Sequence, residues 1–85
     1  MTGEEMAYRA FAAAIVLQAV KDYRHEVFAA MHYNDKHAAA RVKRLEMFFR
    51  SPWCFDLCDT DGLKIIKQLR KECHYDSKRI PDAGK

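Results

Sequence analysis

The chain has 85 residues, of which 49% are hydrophobic and 12% aromatic, with a formal net charge of +3 and a pI near 8.8. That length excludes more than one domain, and that composition excludes an intrinsically disordered chain. Three glycines and two prolines are too few for the tight turns of an all-β fold, so long helices are expected.

The first helix is expected over 3–32. It is rich in alanine, and no proline or glycine follows Gly3 until residue 52. Ala13, Val16, Val20, Tyr23, Val27 and Ala30 recur at alternating spacings of three and four, a heptad-like seam. Phe11, Ile15 and Leu17 lie beside or opposite that seam. A helix so apolar around its first half needs cover on more than one side, either from the rest of the chain or from a second copy, so a homodimer through this helix is expected. Asn34-Asp35 then reads as a turn and N-cap.

The second helix is expected over 36–49, with Ala38, Val42, Leu45 and Phe49 as its apolar stripe and Arg41, Lys43, Arg44 and Arg50 largely off it. Ser51-Pro52 both ends that helix and starts a short third one over 52–58, as a capping residue before proline at the first helical position. Thr60-Asp61 repeats the capping pattern for a fourth helix over 61–74, with Leu63, Ile66, Leu69 and Cys73 inward and Lys64, Lys67 and Lys71 outward. Phe48, Phe49, Trp53 and Phe55 crowd the corner between them. Phe49, Trp53, Leu57, Ile66 and Leu69 are the expected core, with Trp53 as a buried anchor. Residues 76–85, with Pro81 and Gly84 and few apolar groups, are expected to fray as a flexible tail beyond a domain at 1–75. The fold class is therefore all-α: a small helical bundle with a long N-terminal helix and three shorter ones.

Charge alternates along the chain. Residues 1–35 sum to −2, residues 36–50 to +4, residues 51–61 to −3 and residues 62–79 to +4. Two basic helices are thus separated by an acidic corner. Arg41, Lys43 and Arg44 on the second helix, with Lys64, Lys67 and Lys71 on the fourth, are the candidate contacts for nucleic acid or an acidic partner. The two helices and their corner loosely suggest a helix-turn-helix, and a solvated lysine face is the plainer reading. Exposed aromatics such as Tyr33 or Tyr75 are the expected anchors of a protein partner instead.

Three cysteines make a poor disulfide framework and read as packed, reduced thiols. A zinc site from Cys54, Cys58, Cys73 and His74 is disfavoured, because the first pair is Cys-x3-Cys and the second is adjacent on a helix. A Cys58–His74 nucleophile lacks an activating loop. His25, His32 and His37 read as solvated or capping residues. Asp59 and Asp61 read as caps; the Asp-Thr-Asp-Gly stretch lacks the later glutamate of a calcium loop. No cofactor and no catalytic residue is expected. The N-terminal MTGEE is acidic where a secretory signal would be basic, and the apolar run in the first helix breaks at Gln18, so a soluble, cytoplasmic protein without membrane contact is expected.

Two stretches, AIVLQAVKDYR at 14–24 and FFRSPWCFDLCDTDGLKIIKQLRKE at 48–72, resemble a family of small helical proteins of Gram-positive prophages and integrative mobile elements. Those proteins pair a first helix of the form AIVxQAVxDYR with a second half of the form FFRSxWFxxLCDxDGxxLIRxLRKE. Cys54 stands where that pattern has phenylalanine. The resemblance brings no catalytic or metal residues. It implies a phage or mobile-element setting, where such proteins bind a host or phage macromolecule and some inhibit host defence systems, as anti-CRISPR proteins do. The reading reached is a non-enzymatic interaction protein that binds and modulates a macromolecular partner, with a nucleic-acid-binding regulator using the second and fourth helices as the alternative.

Overall fold

The structure, a computed structural model, describes residues 3–58 and 61–82, with side chains for the same residues except 5–8 and 58. The chain is all-α: α1 (Gly3–His32), α2 (Lys36–Arg50), α3 (Pro52–Cys58) and α4 (Gly62–Glu72), followed by a short 3-10 turn at Ser77–Arg79. Among the described residues there is no strand. At about 1.5 Å per residue, α1 alone accounts for roughly 45 Å, and it sets the long axis of a molecule measuring 47 × 21 × 20 Å.

Capping chemistry fixes each boundary. Asp35 accepts hydrogen bonds from the His37 and Ala38 amides, at 2.8 and 3.2 Å, and starts α2. The Ala38 and then the His37 amide hold its carboxyl below the usual aspartate range. Asp61 accepts from the Leu63 amide at 3.0 Å and starts α4, one residue beyond the expected start. Thr60 lies outside the described residues. The end of α4 is a Schellman motif: the Tyr75 amide donates to the Arg70 carbonyl and the His74 amide to that of Lys71. His74 accordingly takes a φ of 52°, as Asn34 does after α1.

The main core joins Ala19, Tyr23, Val27 and Met31 of α1 to Val42, Phe49, Cys54, Ile66 and Leu69. The expected seam of α1 holds from Val16 to Ala30 and fails at Ala13, which is exposed, while Ala12 and Ala19 are buried. A strict three-four spacing drifts by about 20° per heptad on a straight helix, so its earliest member has rotated off the core face. Residues 76–82 do not simply trail away. Asp76 caps the 3-10 turn through the Lys78 amide and donates its own amide to the Met31 sulfur, and Ile80 packs on the main core and on the alanine contact of Ala30, Ala38 and Ala39.

One polar group ties three helices. Glu46, the only acid of α2, accepts from the Tyr23 hydroxyl at 2.6 Å and from the Arg70 guanidinium at 2.8–3.2 Å. Arg70 in turn lies over the Tyr75 ring, 4.4 Å from its centroid. Tyr23 is fully buried and Glu46 is 13% exposed. Burial, and then the bond to Glu46, push the Tyr23 hydroxyl far above the ordinary tyrosine value.

Glu46→Ala leaves the Tyr23 hydroxyl and the Arg70 charge without their partner. It should cost about 2–3 kcal/mol in denaturant unfolding, less than a fully buried pair because Arg70 is 37% exposed. A tyrosine whose folded value lies above its unfolded value of about 10 contributes stability that is complete below about pH 10 and lost as pH rises toward the folded value. The stability advantage of the wild type over Tyr23→Phe should therefore be constant at neutral pH and shrink above about pH 10, measured by urea unfolding at a series of pH values.

Candidate interaction surfaces

The corner between α2 and α4 is built outward from three backbone constraints. The Ser51 hydroxyl donates to the Phe48 carbonyl at 2.6 Å and accepts from the Cys54 amide at 3.2 Å, so one side chain ends α2 and starts α3. Pro52 supplies the fixed φ of a first helical residue. Gly62 then brings α4 so close to the end of α2 that a Cβ built there would overlap the Phe49 carbonyl.

Trp53 is not the buried anchor that its aromatic neighbours suggested. It is 56% exposed. The inward residue of α3 is Cys54, which is fully buried; Trp53 precedes it by one position, about 100° round the helix. The indole edge rests on Phe48, with centroids 5.8 Å apart and planes at 79°, and the remainder of the ring meets solvent. Phe49, Ile66 and Leu69 are buried as expected, while Leu57 is half-buried. Phe55 and Leu63, both about half exposed, line a groove of about 320 Å³ together with Phe49, Pro52 and Gly62. Of the two tyrosines expected to anchor a partner, Tyr33 is exposed, edge-on to Phe28 at 5.9 Å. Tyr75 is instead part of the packed interior beneath Arg70, because the Schellman turn folds it back.

The six candidate cations do not form one patch. Arg41 and Arg44 line a groove with Asp22, Glu26 and Leu45 on one flank of α1, and Arg41 bonds to Glu26 at 2.8 Å. Lys64 lines a separate groove with Val20, Arg24 and Glu72 on the other flank, where Arg24 meets Glu72 at 2.7 Å. Arg24 and then Gln68 hold the Glu72 carboxyl below its ordinary value. Lys43, Lys67 and Lys71 are exposed; Lys71 is opposite the buried side of α4, and Lys43 and Lys67 are on the flanks of α2 and α4. Lys36 and Arg50, exposed and in line with Lys43 at seven-residue intervals, share that side of α2. Arg50 is off the apolar stripe as its position in the sequence implied; Lys36 was not expected in this group, and the seven-residue interval was the signal for it.

Cys73 caps the end of α4, and burial raises its thiol above the ordinary value. Cys58 and Asp59 lie outside what is described of side chains. Among the described residues no three His, Cys, Asp or Glu side chains are placed to hold a metal ion, and no helix is long and apolar enough to cross a membrane. No protein family, curated protein or solved structure matches the chain.

Gly62→Ala should destabilise the protein by about 1–3 kcal/mol or more, since the added methyl meets backbone and not a movable side chain. Alanine is the better residue in most helices, so a loss of thermal stability here, where propensity forecasts a gain, isolates the steric term.

Proposed function

We propose that this chain is a small non-enzymatic interaction protein, of phage or mobile-element type, that binds and modulates a protein partner through the α2–α3–α4 corner. Inhibition of a host defence complex is the setting that its sequence resemblance favours. The observation that carries the reading is the exposure of Phe55 and Leu63, each by more than half, on an open apolar groove at the corner, with Trp53 equally exposed on another side of the same short helix. Tryptophan and other large apolar groups around a concavity are the usual anchors of a protein interface, and clustered exposure of this kind marks interaction sites on small soluble domains.

The test is capture of partners by the tagged chain from cells that carry it, with and without nuclease, beside the double variant Trp53→Ser, Phe55→Ser. A partner retained after nuclease treatment and lost in the variant is the expected result. A partner released by nuclease, or one that the variant retains, contradicts it. The variant should stay folded, each substitution costing about 1 kcal/mol or less at such exposed positions. The emission maximum of Trp53, the single tryptophan, should be that of a largely hydrated indole.

A second copy is the proposed occupant of the first half of α1. Ala10, Phe11, Ala13, Ala14 and Leu17 are all exposed there, Phe11 by 66% and Leu17 by 54%. Light scattering at tens of micromolar protein should give a mass above that of the 9.9 kDa chain, returning toward it in Phe11→Ser, Leu17→Ser. A monomer mass in the wild type removes this proposal without touching the corner.

A further inference from the structure

Three arginines are tied up between helices, and among the exposed cations without an ion pair five are grouped on α2 and α4. Arg24, Arg41 and Arg70 are committed to Glu72, Glu26 and Glu46 between helices, at 2.7–2.8 Å. Lys36, Lys43 and Arg50 on α2, with Lys67 and Lys71 on α4, are exposed, and no carboxylate of the described residues is bonded to any of them. Helical geometry puts these five on one side of the molecule. On α2, Glu46 reaches α4, and Lys43 and Arg50 lie about 40–60° farther round from buried Val42. On α4, Arg70 reaches α2, and Lys67 lies about 60° farther round from buried Ile66. Gly62 abuts Phe49, and Arg70, eight positions on, meets Glu46. The helices are thus antiparallel; Lys43, Arg50 and Lys67 border their seam on the face turned away from α1, and Lys36 and Lys71 lie farther round, Lys71 about 20° from Lys64.

We infer that this outer face of α2 and α4 binds the phosphate backbone of duplex nucleic acid. The α2 row extends over about 21 Å, and it lies on a helix whose axis stands about 8–10 Å from that of α4. A small anion reaches one or two of these cations, whereas a duplex presents a negative charge about every 1.7 Å of its axis and meets them all. Four of the five are lysines, point charges on flexible stems, suited to backbone contacts that carry no sequence information. Relative to the six cations singled out in the sequence, the interface loses Arg41 and Arg44, gains Lys36 and Arg50, and leaves Lys64 at its edge.

The experiment is fluorescence anisotropy of a labelled random-sequence DNA duplex titrated with the full chain across a range of salt. Binding is expected at low salt and should weaken roughly 500-fold between about 50 and 200 mM for five phosphate contacts. Lys43→Gln, Lys67→Gln, Lys71→Gln should reduce the salt slope by about three at unchanged helicity, because glutamine is nearly as good a helix former as lysine. Met47→Ala should leave binding as it is; Met47 is 71% exposed beside the α2 row and would anchor a protein, not a backbone. Trp53→Ser, Phe55→Ser should also leave it intact, which separates this inference from the protein-binding corner. No anisotropy change at tens of micromolar protein overturns the inference. So does an unaltered slope in the triple variant, a loss on Met47→Ala equal to that of the triple variant, or displacement of the duplex by polyglutamate as effectively as by unlabelled duplex.

Discussion

A single carboxylate holds the bundle in register. Glu46 receives the buried Tyr23 hydroxyl from α1 and the guanidinium fork of Arg70 from α4, while itself belonging to α2. An apolar core tolerates sliding and rotation of its helices far better than a directional network does, because hydrophobic burial is non-directional and a half-satisfied polar group in a low dielectric is costly. With three helices sharing one acceptor, each must arrive at a fixed height and rotation. The stacking of Arg70 on Tyr75 then extends the same register into the C-terminal turn, which carries Ile80 to the core.

That register also decides which charges remain for other molecules. Each flank of α1 is closed by its own ion pair, Arg41 with Glu26 and Arg24 with Glu72. The network beneath the α2–α4 seam absorbs the only acid of α2. Glu26, Glu46 and Glu72 are thus taken up as partners of arginine between helices, and the lysines of α2 and α4 are left on the outside. At the end of the same seam the short α3 presents its aromatic residues. A basic face and an apolar corner therefore lie side by side on the α2–α4 layer, while α1 offers a third surface along its first half.

Much of the fold was legible because its signals are local. Asp35, Ser51 and Asp61 cap the helices where residue type and spacing place caps, and the alternation of Tyr23, Val27 and Ala30 marks the buried side of α1. What was not legible depends on partners distant in sequence. Glu46 stands 23 residues from Tyr23 and 24 from Arg70, and neither period nor propensity links them. Trp53 misled because its aromatic neighbours argued for burial, whereas the fully buried residue of α3 is Cys54, one position on and about 100° round the helix. Tyr75 misled in the opposite sense, since only the positive φ of His74 turns it back. At the candidate site the total charge of α2 and α4 was readable, but which cations are bonded, Arg41 and Arg70, and which are not required the helix rotations.

The contact at Gly62 has an implication for ancestry. A chain could keep every cap and every apolar stripe of this one and still carry alanine at that position. Its α2 and α4 would then have to separate until the methyl group cleared the Phe49 carbonyl by the 3.4 Å of ordinary contact, and the corner groove would open with them. Kinship in helical pattern is therefore a weaker guide to shared binding than identity at one residue that has no side chain. Glycine at that position is a condition for the corner as it stands here, however similar the helices on either side.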